Sequence, residues 1–314
     1  MVSVRYRRLA LAVCIGMLLV LLAGSLVTNT GSGRGCGDDW PLCNGKFIPA
    51  YTLESLIEYS HRLVTGFVGL LVAAVFFATL LRYRSHREAV FYASGIAFFT
   101  IVQALMGAAA VMWPQSSAVM ALHFGFSLLA FAFTLMLVIW AYRNRSDAAA
   151  ALTDRMTSRQ TVLPRTLYSW VWFAWAFCYI VVYLGAYVRH TDSAGGCFGW
   201  PLCNGELIPS LDGITGPVFV HRVAAALFLV VMIMLALLTR GAAGPRSGIA
   251  RSAVWALGLT AAQIVSGALL VAALGNEDSY IFFIMLHSLI VCGLFGVLAD
   301  MSFRSWNLRD RRDR

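Results

Sequence analysis

Eight apolar stretches, each about 20 residues long, frame everything this chain can become, because about 20 such residues make a helix that crosses a bilayer. They fall roughly at 9–27, 59–81, 89–112, 118–142, 168–188, 218–239, 252–274 and 281–302. Backbone N–H and C=O groups find no water in lipid, so each stretch is expected to be an α-helix that satisfies its own backbone. Composition leaves no soluble alternative. Of 314 residues 60% are hydrophobic and 12% charged, with a mean hydropathy of +0.75, which is too little polar surface to clothe a globule.

Charge sets the expected orientation. Lys and Arg near span ends stay cytoplasmic. With the N-terminus inside, every one of the 24 basic residues except Arg34, Lys46, Arg62, Arg189 and Arg222 falls on the cytoplasmic side. Both termini are therefore expected in the cytoplasm. The net charge of +9 reads as a topology signal, which leaves membrane lipid as a partner and removes nucleic acid. Arg5, Arg7 and Arg8 ahead of the first stretch imitate the start of a secretory signal. Against cleavage stands an internal repeat in which this stretch is the counterpart of the fifth.

That repeat is the second constraint. Trp40-Pro41-Leu42-Cys43-Asn44-Gly45 returns unchanged as Trp200-Pro201-Leu202-Cys203-Asn204-Gly205. The same offset of 160 carries His61-Arg62 onto His221-Arg222, Gln103 onto Gln263, and Gly107-Ala108 onto Gly267-Ala268. His123 meets His287 at an offset of 164, with the extra residues expected in the loop around Gly275-Asn276-Glu277-Asp278. Four spans per copy is an even number, so both copies enter the membrane from the same side. The expected fold class is all-α integral membrane: eight transmembrane helices as two tandem, parallel-repeat four-helix bundles with a pseudo-two-fold axis along the membrane normal. Residues 1–145 form the first unit, 146–166 a cytoplasmic linker and 167–314 the second unit. Gly107, Gly185 and Gly267 read as points of close helix packing with no chemical role.

Four of the six histidines, His61, His123, His221 and His287, hold repeat positions at the outer ends of even-numbered spans. His86, in a basic turn, and His190, in an outer loop, read as solvated or hydrogen-bonding residues. An ionisable side chain in a span is costly and tends to be functional. Each unit offers two imidazoles on two helices running the same way, within roughly 5–9 Å of the outer boundary. Two imidazoles facing across a four-helix bundle leave room for a flat macrocycle, so heme ligated by each pair is the favoured reading. Zinc would want a third or fourth ligand at metal spacing, which the second unit lacks. The structural alternative is a histidine hydrogen-bonded across the bundle.

The units differ at Glu58, which is Val218 in the second copy. Glu58 precedes His61 by three residues and shares its helix face. There a carboxylate beside a bound macrocycle would accept a proton; equally, it would cap the second span at the positive helix N-terminus. Cys36 and Cys43 lie in the first outer loop, Cys197 and Cys203 in the second. Both pairs face the oxidising side and are expected as two short-range disulfides, with electron exchange by a dithiol as the other reading. Cys14, Cys178 and Cys292 fall within spans and read as packing residues. Arg62 and Arg222 each follow a ligand histidine. Their guanidinium forks suit heme propionates, or snorkel to lipid phosphate.

These residues together resemble a family, the heme A synthases. The resemblance rests on Gly31-Ser32-Gly33-Arg34-Gly35-Cys36-Gly37 leading into Trp40-Pro41-Leu42-Cys43, on Glu58-Tyr59-Ser60-His61-Arg62, and on Ala121-Leu122-His123-Phe124. It continues through Gly185-Ala186-Tyr187-Val188-Arg189-His190-Thr191, His221-Arg222 and Leu286-His287-Ser288, spanning nearly the whole chain. The short N-terminus suggests the bacterial form and a plasma-membrane location. The resemblance implies oxidation of the C8 methyl of heme O to a formyl group through successive hydroxylations, giving heme A for cytochrome oxidase. It implies that His61 and His123 engage the substrate iron, that Glu58 assists proton removal, and that His221 and His287 ligate a permanent heme B. It also links the first cysteine pair to activity and the second to structure. Heme O synthase and an electron acceptor would be the partners. A di-heme b-type cytochrome is the rival reading, which Glu58 and the Gly/Cys-rich first loop disfavour because an electron conduit needs neither. A transporter would want paired charges and broken helices that the spans lack.

Overall fold

The computed structural model describes residues 1–47, 51–113, 115–144 and 164–308. Among the described residues eight helices are each long and apolar enough to cross a membrane. They are α1 Val4–Asn29, α2 Leu53–Arg82, α3 Arg87–Met112, α4 Ser117–Arg143, α5 Arg165–His190, α6 Thr215–Ala243, α7 Gly248–Ala272 and α8 Glu277–Leu308. Most run past the apolar cores read from the sequence because polar caps begin them early. Ser3, Thr52, Ser116 and Ser247 accept the backbone N–H three residues on in α1, α2, α4 and α7. The expected linker lies outside the described residues apart from its end, where Arg165 and Thr166 already belong to α5.

The helices pack as two rings. In one, α1 touches α2 and α4 while α3 touches α2 and α4; α5 to α8 repeat that pattern. The rings meet through α1, α4, α5 and α8. Small residues let them approach. A Cβ on Gly125 would stand 2.5 Å from Tyr179 Oη, and one on Gly296 2.6 Å from Leu135 Cδ2. Ser25 and Ser288 share a hydrogen bond of 3.1 Å between α1 and α8. At the far end from the disulfide loops, Tyr6 bonds Thr79 at 2.6 Å and packs in a tilted and edge-on cluster with Tyr83 and Trp140.

One expectation is corrected. The four extra residues of the second copy do not enlarge the α7–α8 loop, because the connections 113–116 and 273–276 are equally long. They add a turn to the start of α8, where Asn276 Oδ1 accepts Ser279 N–H at 2.9 Å and Glu277 and Asp278 face the positive helix end.

The loops after α1 and α5 are built alike. A short 3-10 turn, Ser32–Arg34 or Ser193–Gly196, leads into the disulfides Cys36–Cys43 and Cys197–Cys203. Asn44 and Asn204 turn each loop at positive φ, 49° and 57°. Backbone then meets backbone: Ser55 Oγ donates to Gly35 O at 2.5 Å, and Thr215 Oγ1 to Gly196 O at 3.0 Å. A Cβ on Gly35 would stand 2.4 Å from Glu54 C, and one on Gly196 2.2 Å from Ile214 O. Gly35→Ala and Gly196→Ala are therefore expected to lower the thermal midpoint in detergent, each by forced overpacking worth about 1–3 kcal/mol. Gly33→Ala, whose Cβ meets only Val27 Cγ1 at 3.9 Å, is expected to leave the midpoint unchanged.

Candidate functional site

A single cavity of about 1430 Å³ runs between and into both rings. Pockets for one drug-sized ligand measure about 300–1,000 Å³, so this space suits more than one such molecule. His61, His123, His221 and His287 all line it, with Glu58, Arg62, Arg222, Gln103 and Gln263. The disulfide loops contribute Trp40, Pro41, Trp200 and Pro201 to its wall.

Each imidazole lies against a glycine on the helix before its own. A Cβ on Gly24 would stand 3.3 Å from His61 Cε1, on Gly107 3.5 Å from His123 Cε1, on Gly185 2.9 Å from His221 Cε1, and on Gly267 3.5 Å from His287 Cε1. Glycine here makes room for a ring as well as for a helix. Gly24 belongs to the same set as the three glycines noted in the sequence. It was missed because the first loop is one residue longer than the second, so α1 matches α5 at an offset of 161.

The donor set suits a bis-imidazole macrocycle. Among the described residues no three His, Cys, Asp or Glu side chains gather as a metal site, so each pair stands alone. Nδ1 of His61, of His123 and of His221 is buried without a partner. His287 is anchored. Ser266 Oγ lies 2.8 Å from His287 Nδ1 and donates to Gln263 O at 2.9 Å. With its only proton spent on Gln263, the hydroxyl accepts from Nδ1–H, which fixes the ring and turns the Nε2 lone pair to the ligand. Position 106, the counterpart of Ser266, is a methionine, so His123 has no such anchor.

Glu58 is 3% exposed and does not cap α2; Thr52 does that. Its Oε2 accepts Cys36 N–H at 2.8 Å and its Oε1 pairs with Arg62. Arg62 also donates to Asp39 O at 2.8 Å and Leu42 O at 2.6 Å. Arg222 pairs with no carboxylate among the described residues and donates to Cys197, Gly199 and Leu202 carbonyls at 3.0–3.1 Å. Both arginines thus clamp the disulfide loops, a duty the sequence did not disclose. His190 is corrected too: it ends α5, lines the cavity, and its carbonyl accepts Ser117 Oγ at 2.6 Å. The 161 offset, which sets His190 on Asn29 and Arg189 on Thr28, was the signal that could have found it. His86 is exposed at the N-cap of α3, 5.3 Å from the Trp140 ring.

Arg222→Met removes three carbonyl partners together. Amide hydrogen exchange over residues 197–205 is expected to rise about tenfold or more, since donors on a charged group contribute about 1.5–3 kcal/mol each. Arg222→Lys should rescue only part of this, because an ammonium cannot reproduce the fork. Unchanged exchange in Arg222→Met would remove the clamp.

Residues 7–167 and 168–215 match the COX15-CtaA family, described as cytochrome oxidase assembly protein. The heme A synthase of Symbiobacterium thermophilum is 42% identical over 297 residues, covering 95% of this chain and 94% of that one. That of Alkalihalophilus pseudofirmus is 35% identical over 289 residues, covering 92% and 93%. That of Geobacillus kaustophilus is 37% identical over 308 residues, covering 96% and 92%. With a family model over residues 7–215 and relatives 35–42% identical over more than nine-tenths of both chains, the chain belongs to the COX15-CtaA family of cytochrome oxidase assembly proteins.

Proposed function

We infer that this chain is a heme A synthase, an oxidoreductase that converts the C8 methyl of heme O to the formyl group of heme A. The observation that carries the reading is the placement of two glycine-backed imidazole pairs on one cavity, in a chain 42% identical to a heme A synthase. The units divide the labour. We assign the substrate heme to His61 and His123 in residues 1–145, and a resident heme B to His221 and His287 in residues 167–314. The Ser266 anchor on His287 supports this division, because one fixed ring in the second unit suits a permanent ligand, whereas neither ring of the first unit is fixed through Nδ1.

A heme B held in the second unit would supply a one-electron relay for electrons leaving the methyl. The chain's own groups do the rest. Imidazole Nε2 atoms hold the substrate iron, and the apolar wall keeps water from the reacting carbon. Glu58 is the carboxylate we assign to take the methyl proton, held in place by Cys36 N–H and Arg62. Donors of Arg62 and Arg222 not spent on the loops are assigned to propionates. Following the arginine count, both termini lie in the cytoplasm of a bacterial plasma membrane, and the two units are a parallel duplication.

The test is to co-express the chain with a heme O synthase in a host without heme A, and to separate the extracted hemes with mass detection. Heme A is the expected product. Untouched heme O beside a folded, heme-loaded protein would favour the di-heme electron carrier. Glu58→Gln should keep the resident heme yet lower heme A output by about 10²-fold or more, the usual contribution of a positioned base; normal output would take Glu58 out of the chemistry. Ser266→Ala should speed loss of the second-unit heme by about tenfold or more, a typical cost of losing a ligand's hydrogen-bond partner.

A further inference from the structure

The two units differ where α2 faces α3. Gly66, Gly69, Ala104 and Ala110 of the first unit stand where the second carries Ala226, Leu229, Ile264 and Leu270, and all eight line the cavity. Each of these differences removes side-chain volume from the first unit. The trend is confined to these positions, since elsewhere on the wall the first unit has the larger Met17, Thr65 and Phe124 against Cys178, Ala225 and Ser288. A Cβ built on Gly66 or Gly69 meets nothing within 4 Å, so the missing volume is open space. α2 also packs on α3 less extensively than α6 on α7. Ala104 is exposed as well as cavity-lining, where Ile264 is half-buried, as a seam that opens to the surroundings requires; Gly66 and Ala226 are both exposed.

A polar group waits on the same wall. Gln103, one residue before Ala104, is 7% exposed, lines the cavity, and has no partner for Oε1. Gln263 keeps the same orphan oxygen, but there Leu229 and Ile264 fill the adjoining space. Heme O differs from heme B by a hydroxyethylfarnesyl tail in place of a vinyl group: a long isoprenoid chain with one hydroxyl at its root. An apolar seam beside a lone buried acceptor matches both parts.

We propose that the α2–α3 seam of the first unit, open at Gly66, Gly69 and Ala104, is the subsite for the isoprenoid tail of the substrate heme, with Gln103 Oε1 accepting the tail hydroxyl. The proposal rests on the reading that the first unit holds the substrate. The tail lies in the seam and continues toward lipid, so an amphiphilic substrate enters and leaves without dragging its tail through the bundle. The second unit, closed at the same place, holds a heme without a tail.

The test titrates heme O and heme B separately into the purified full-length protein carrying its resident heme. The wild type is expected to bind heme O about tenfold or more tightly than heme B in the first unit, from burial of the tail's apolar surface. Gly69→Leu/Ala104→Ile, which installs the second unit's residues, is expected to erase that preference while heme B affinity stays within about twofold and the resident-heme absorbance is unchanged. Equal wild-type affinity for the two hemes overturns the proposal without any variant, and so does a double variant that keeps the preference. Equal loss of both hemes in the double variant, with the resident heme intact, would make the seam a macrocycle contact and overturn it too. A wild type that binds neither heme in the first unit removes the functional reading as well. Conversion of heme O without a tail preference removes the tail subsite alone.

Discussion

Each cavity histidine stands against a glycine of the preceding helix, and the rest of the site depends on that close approach. A large imidazole pointing into a four-helix bundle must be given room by its neighbour. Glycine gives it at Gly24, Gly107, Gly185 and Gly267 while the backbone keeps its helical hydrogen bonds, as lipid demands. Once the rings are seated, the helices are spaced widely enough to leave the cavity between them. The disulfide loops then cover it, pinned to α2 and α6 by Arg62 and Arg222.

On this shared frame the units differ at three places that bear on the site. Glu58 ties the first loop to α2 through Cys36 N–H and Arg62, where the second unit has an apolar Val218. Ser266 anchors His287, where the first unit has Met106. Gly69 and Ala104 open a wall that Leu229 and Ile264 close. The proposed division, an exchangeable heme in the first unit and a fixed one in the second, rests on these differences.

Much of this was legible in the sequence, because spans announce themselves by length and hydropathy and a repeat marks its own equivalent positions. All eight helices, both disulfides and the four cavity histidines were read from residues alone. What stayed hidden involves contacts between elements far apart in the chain. The arginine clamps reach loop carbonyls about 20 residues away, and carbonyls leave no trace in a sequence. Gly24 and His190 were lost to a one-residue difference in loop length that shifts the register from 160 to 161. The added turn of α8 was read as loop because Asn276, Glu277 and Asp278 are polar, yet the same residues serve as cap and dipole partners.

The central claim is that two similar frames carry different hemes. It is tested most directly by heme stoichiometry of the full-length protein, purified from cells that make heme B but no heme O, in wild type and in single histidine variants. The account predicts one tightly held heme, lost in His221→Ala or His287→Ala and retained in His61→Ala or His123→Ala. Two equally held hemes, or loss of the single heme on changing His61 or His123, would contradict it.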